Sequence, residues 1–435
     1  MHLDYQILVK ELSKVAQRYP QTAYAGFTQS LQSEWQYISR CVAGVEEFLQ
    51  PVEDAIREYF LPAILQEPAD NIDDEFRTLL GHGVKQGGIN VRNPTLTASR
   101  LFESSEAACA ALVGCLLSDE ALDLRAHAQC VRQASTETRK LRVDEESEFV
   151  KGLAAGAPKG LKQRLARVGK VGAWKTVTPS RLNGSLLSRE EFFDNMRLSY
   201  GMRPHDLCER CDGCGTGFSV EHALSCKKGG LVCQRHDDAR DEAGALCAMA
   251  LTDSRVSYEP FIYYGKDNCA NLETETAQPP SKNLAKDEAR GDVAVHGLWE
   301  KGRTCILDIR ITDTDAKSYQ SSSSEKVLER CAKLKKDKYE QVCIERRRTF
   351  CPLVYSVVGM ACKTARAFEK RVASKLATKM DRRYSEMVGF VRARMSLEVI
   401  RSNTILLRGV RVGRAFRPDI ADAVAFNAMG GQREW

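Results

Sequence analysis

Two aspartates stand where strands should run. In RGDVAVHGLWEKGRTCILDIRIT, residues 290–312, Asp292 and Asp308 sit among apolar neighbours. In TCILDIRIT, Cys305, Leu307, Ile309 and Ile311 alternate with Thr304, Ile306, Asp308, Arg310 and Thr312. That is the period of a pleated strand with one core face. In the preceding run Asp292, Ala294 and His296 share a face, opposite Val293 and Val295. EKGR (300–303), with Gly302 in its turn, can join the two runs as an antiparallel hairpin. Both aspartates then lie on one face of the sheet. Adjacent carboxylates repel, so a cation must lie between them or one pKa must rise. An oxygen-rich site with open positions suits magnesium or manganese. Such an ion activates water and stabilises charge developing on a phosphate. Plain salt bridges from Arg310 and nearby lysines are the non-catalytic reading of the same residues.

The segment EKVLERCAKLKKDKYEQVCIERRR follows. Its Leu328, Cys331, Ala332, Tyr339, Val342 and Cys343 form one helical stripe, with Lys335 in the middle and Lys338 on its flank. A lysine aimed at a sheet is costly to bury unless anions meet it. Asp292 and Asp308 are the anions expected there. A lysine stem that crosses the apolar patch to reach water is the bland alternative.

A second constellation lies upstream, in CERCDGCGTGFSVEHALSCKKGG (208–230). Cys211, Cys214, His222 and Cys226 supply three thiolates and one imidazole, a closed tetrahedral set for structural zinc. Gly213 and Gly215 are expected to let the chain turn tightly around the ion. Cys208 is a spare that could replace Cys211. Four ligands leave no open position, so this zinc is not expected to be catalytic.

The elements that must hold these groups can be read outward. RHDDARDEAGALCAMAL (235–251) reads as a helix with Ala239, Ala243 and Leu246 inward; RVSYEPFIYYG (255–265) reads as one strand. FCPLVYSVV gives a further strand, and KTARAFEKRVASKLATK a helix burying Phe368, Val372 and Leu376. The order is helix, strand, strand, strand, helix, strand, helix. Residues 1–130 read as all-helical. Pro51 is expected in a first helical turn and Pro62 at a helix end or kink. Residues 81–95 should be a Gly-rich loop, and GLAAGAPKG a hinge in the charged helical stretch 131–175. SSSS (321–324) reads as a short flexible loop.

The chain has 435 residues and a net charge of +6, yet residues 326–417 alone hold 24 Lys/Arg against 8 Asp/Glu. Basicity gathered in one segment suggests a polyanionic partner. Arg310, Arg366, Lys370, Arg371, Lys375 and Lys379 are the candidate nucleic-acid contacts. No run of about 18 apolar residues is present, so no membrane span is expected. The first residues lack the apolar core of a secretory signal. The sixteen cysteines are therefore expected to be mostly reduced. No small-molecule substrate is indicated.

CDGCGTGFSVEHALSCKKGGLVCQRH, RGDVAVHGLW, CILDIRITDTDAKSY and KLKKDKY together resemble the C-terminal end of non-long-terminal-repeat retrotransposon polyproteins. In that group a Cys-Cys-His-Cys knuckle precedes a PD-(D/E)xK restriction-like endonuclease that nicks target DNA. The resemblance covers about residues 185–415; residues 1–184 resemble, more weakly, the helical region after a reverse transcriptase palm. It implies an α+β chain with a helical region (1–184), a zinc knuckle (185–232), an endonuclease domain (233–417) and a tail (418–435). It implies Asp292 and Asp308 as carboxylates for Mg or Mn, and Lys335 or Lys338 as the orienting lysine beside Tyr339. It also implies DNA, with RNA as a second option, as partner, and the nucleus as location. Two positions depart from the family pattern. Gly291 stands where proline is usual, and Arg310 where the lysine is usual; an arginine stays protonated and cannot act as a general base. Glu242 is a weak further metal-ligand candidate. The Asp-Asp pairs of NIDDEF and RHDDAR lie outside any apolar hairpin, so no polymerase activity is expected. A nucleic-acid-binding module without catalysis is the alternative function.

Overall fold

The computed structural model describes residues 2–263, 289–319 and 321–411. The expected tail, 418–435, lies outside the described residues, as do the last two positions of the strand expected over 255–265. The chain is α+β, mostly helical, with a small mixed sheet.

The N-terminal part holds α1 (His2–Arg18), α2 (Pro20–Gly26), α3 (Gln32–Cys41), α4 (Glu46–Ala55), α5 (Leu61–Leu65), α6 (Asp74–Gly81), α7 (Pro94–Ser118), α8 (Leu124–Gly156) and α9 (Lys159–Leu165). Phe27 stacks on Phe60 at 4.2 Å between centroids, and Trp35 meets Phe27 edge-on. These rings centre one apolar core. Pro51 does not open a helix; it lies inside α4. Pro62 does not end one either. A π turn, Ile56–Phe60, precedes α5, and the Leu61 N–H donates to the Ile56 carbonyl. A wider turn there absorbs a residue that has no N–H of its own. The loop expected over 81–95 holds a short 3₁₀ turn and ends where α7 begins at Pro94, with Asn93 as N-cap. The break expected at GLAAGAPKG falls between α8 and α9. By length and composition alone α7 could cross a membrane. α7 is not an unbroken apolar run, since Arg100, Glu103 and Glu106 interrupt it, and it leaves Leu116 and Leu117 exposed.

The second part begins with α10 (Arg189–Tyr200), α11 (Val220–Ser225) and α12 (Leu231–Ala250). Then come β1 (Val256–Tyr258), β2 (Phe261–Tyr263), β3 (Ala289–Arg290), β4 (Val293–His296), β5 (Thr304–Thr312), α13 (Ser324–Glu345), β6 (Arg348–Ser356), α14 (Lys363–Met380) and α15 (Tyr384–Arg408). Ser323 caps α13 and Ser324 opens it, so the SSSS patch is loop only over its first three residues. The main sheet runs β1-β4-β5-β6. The β4–β5 hairpin is antiparallel, with Gly302 at φ +77° in its loop. The β5–β6 pair is parallel, so the long connection through α13 is required. Pro352 sits on β6, an edge strand, where a missing donor is tolerated.

Two interruptions shape the sheet. The single strand expected over 255–265 is two, because Glu259 takes φ +50° ahead of Pro260. Opposite it, Gly291 and Asp292 separate β3 from β4. The Glu259 N–H donates to the Asp292 carbonyl, and the Gly291 N–H to the Pro260 carbonyl. Gly291 is packed so closely that an added Cβ would meet Ile306 Cγ2 at 2.3 Å. Proline there would also lose the bond to Pro260. That is the physical reason for glycine at this position.

Gly291→Ala should therefore cost about 1–3 kcal/mol through overpacking, read as a lowered urea midpoint at unchanged slope. Wild-type stability would show that Ile306 moves aside freely.

Candidate functional site

β5 carries its two faces as the alternation requires. Cys305, Leu307 and Ile309 join the core under α12 and α14, whereas Ile306 packs with Ala294, Tyr339, Cys343 and Phe350. Asp308 shares the Ile306 side and is only 5 % exposed. Lys335 reaches down from α13 and sets its Nζ 2.9 Å from Asp308 Oδ2 and 3.0 Å from Oδ1. The Oδ2 contact is ionic but poorly aligned, and this oxygen has no well-directed hydrogen bond. Burial pushes the Asp308 carboxyl above the usual range; Lys335 opposes this, and the nearby Asp292 charge adds to it.

Asp292 comes from the break between β3 and β4. Its backbone N–H donates to Leu307, and its Oδ2 accepts from the Ile309 N–H. The same oxygen lies 3.2 Å from His236 Nε2. This contact, ahead of the opposing burial, raises the His236 pKa. His236 is the residue that sequence reasoning missed. It continues the inward stripe of Ala239, Ala243 and Leu246 one turn toward the start of α12, so the helical period alone could have found it.

The other expected residues disperse. Lys338 rests over the Tyr339 ring at 4.7 Å, and Lys335, rather than Lys338, meets Asp308. Arg310 donates to Thr312 on its own strand. Glu242 is held by Arg394 through two hydrogen bonds of 2.7 and 2.8 Å. On α14, Arg371 donates to the carbonyls of Leu298 and Trp299, and Lys379 to those of Met249 and Leu251. Arg366 lies 3.9 Å from Glu325. Lys370 is exposed and Lys375 half-buried; burial and neighbouring cations, Arg371 first among them, lower the Lys375 pKa.

The cysteine cluster assembles as the spacing suggests. The ligand atoms of Cys211, Cys214, His222 and Cys226 all lie within 4.8 Å of one another, and the set could hold a metal ion such as zinc. Cys211 Sγ and Cys226 Sγ are 3.9 Å apart, and Cys214 Sγ lies 3.4 Å from His222 Nε2. Two thiolates bound tetrahedrally at ~2.3 Å would be roughly 3.8 Å apart. Gly215 takes φ +74° as the turn between Cys211 and Thr216 closes. Gly213 plays a different part from the one expected: a Cβ there would meet Arg411 and Lys228 at 2.8 and 2.9 Å. Ser219 caps α11, which presents His222, and Cys226 ends it. Cys208 is exposed and outside the cluster. The Thr216 hydroxyl and backbone lower the Cys214 pKa to about 6, while burial raises that of Cys226.

Two measurements check these sites. Purified protein should carry close to one zinc per chain by elemental analysis, and Cys226→Ser should lose most of it; equal content in both would remove the cluster as the ligand set. Lys335→Met should cost roughly 3 kcal/mol at neutral pH, because it leaves a buried carboxylate without its cation. A carboxyl whose pKa rises on folding contributes stability at acid pH that is lost as pH rises through the folded value. The cost of Lys335→Met should therefore shrink toward pH ~4, near the unfolded aspartate pKa. Equal cost at both pH values would contradict the pairing. No protein-family model matches this chain, and no curated protein matches it in sequence.

Proposed function

We propose that this chain is the target-nicking, metal-dependent DNA endonuclease module of a retrotransposon-derived protein. The observation that carries the reading is the meeting of Asp308 and Lys335 beneath α13, with Asp292 from the neighbouring strand beside them. In this reading Asp292 and Asp308 would hold Mg²⁺ or Mn²⁺, with Asp308 Oδ2, ion-paired to Lys335 but without a hydrogen bond, offering a lone pair. The bound cation would supply Lewis-acid polarisation of the scissile phosphate and a more acidic water. Lys335 would favour the ionised form of Asp308, and its ammonium is the group that would meet a phosphate oxygen. His236 orients Asp292 and can take up a proton at Nε2, since the carboxylate beside it favours the charged ring. The Cys211–Cys226 cluster would be a structural zinc knuckle that braces the entrance to α12. Exposed basic side chains such as Lys370 would contact backbone phosphates, giving affinity that falls with salt. A protein acting on chromosomal DNA would work in the nucleus.

A second reading has its own support. Asp308 is already paired with Lys335, and Asp292 already accepts from His236 and the Ile309 N–H. A site so compensated can persist with no cation at all, as a nucleic-acid-binding module that no longer cuts.

Supercoiled plasmid in Mg²⁺ separates the two. The endonuclease reading expects nicking by the wild type, with Asp308→Ala and Lys335→Met each at least roughly 100-fold slower, the usual scale for losing one transition-state contact. Wild type and Asp308→Ala nicking at equal rates would end it. Salt-sensitive DNA binding with no nicking would leave the binding module.

A further inference from the structure

A cavity of about 350 Å³ lies away from the aspartates, between the helical region and the sheet-bearing part of the chain. Its wall is apolar over Trp174, Leu198, Met202, Val357 and Ile400. Charged side chains also line it, Arg164, Arg167, Lys175 and Arg203 against Glu221, Asp313 and Asp315, and their partners differ. Arg167 is bound by Asp315 through both carboxylate oxygens, and Arg164 lies 3.9 Å from the same group. Lys175 is different. Its residue is 8 % exposed, and its ammonium lies over two rings, Tyr200 at 4.8 Å and Trp174 at 5.8 Å from the centroids. Among the described residues no carboxylate forms an ion pair with it. Burial alone lowers its pKa to about 7, with no counter-charge acting the other way.

A buried amine without an anion is unfavourable in a cavity that could have been filled by apolar side chains. Contact with two aromatic faces returns part of that cost, on the scale of cation–π pairs. A volume near the lower end of ligand pockets, an apolar wall, four cations against three carboxylates and one buried amine outside any ion pair among the described residues together describe a specific guest. We propose that this cavity binds a small aromatic monoanion, its carboxylate or sulfonate on the Lys175 ammonium and its flat body against the apolar wall. The sequence carried no expectation of a small-molecule ligand, because Lys175 gains its surroundings only when α10 and α15 close over it.

The test uses the full chain and two probes of similar shape. 8-Anilinonaphthalene-1-sulfonate is the anion and N-phenyl-1-naphthylamine its neutral counterpart. Fluorescence titration should give one saturable sulfonate site in the wild type. Lys175→Met, which keeps the length of the stem, should weaken sulfonate binding at least tenfold and leave the neutral probe within twofold. Its thermal midpoint should not fall, since a buried charge has been removed. Equal sulfonate affinity in both proteins, equal loss of both probes, or no saturable site in the wild type would each overturn the proposal. Should Lys175→Met fail to fold, the wild type alone decides. Saturating sulfonate must protect Lys175 from acetylation, read by peptide mass spectrometry, and an unprotected Lys175 overturns the proposal equally.

Discussion

A carboxylate in the middle of a sheet is tolerable only where a cation comes down over it, and the Asp308–Lys335 pair is that arrangement here. The pair sets demands on everything around it. β5 must be central, so that Asp308 is covered. The connection to β6 must be a helix laid across the sheet, so that Lys335 points inward from α13. The neighbouring strand must break at Gly291–Asp292, so that a second carboxylate is delivered without continuing the pleat. Paired burial of this kind contributes little net stability; its loss is costly mainly because the surviving charge has nowhere to go. Such a pair therefore points to a use for the charge rather than to a need for stability.

The long α15 couples this sheet to the rest of the chain. Leu397 and Ile400 enter the N-terminal core, while Met395 and Val399 enter the core under the sheet. Asn403 bridges Asn195 of α10 and the Val357 carbonyl beyond β6. Arg408 holds Asp194 through two hydrogen bonds. Arg411 then packs against Gly213 and Gly229, and its backbone N–H donates to Asp212. The cysteine cluster is thereby tied to the same helix that seals both cores.

Much of the site was legible because it rests on local periods. The alternation of TCILDIRIT assigned Asp308 to one face, and the helical stripe of 326–343 aimed Lys335 at it; each needs only near neighbours in sequence. Cys211, Cys214, His222 and Cys226 were legible for the same reason, since turn and helix bring them together within sixteen residues. What was missed depends on contacts far along the chain. Nothing near Glu259 announces that it will leave the extended region, because the partner that requires it is Asp292. Arg371 and Lys379 look like a free basic face in sequence, but the carbonyls they bind belong to the hairpin loop and to the end of α12. Pro51 sits inside α4, and Pro62 follows the π turn in the first turn of α5, so neither acts as the local stop its type suggests. The isolation of Lys175 is likewise a property of the closed fold.

On the function proposed for this chain, Asp292 and Asp308 would share one divalent cation. Mn²⁺ titration followed by electron paramagnetic resonance tests it most directly, on protein whose cysteine cluster is already loaded with zinc. One bound Mn²⁺ per wild-type chain is expected, with its loss in both Asp292→Asn and Asp308→Asn. Identical Mn²⁺ uptake by the wild type and the two variants would contradict it.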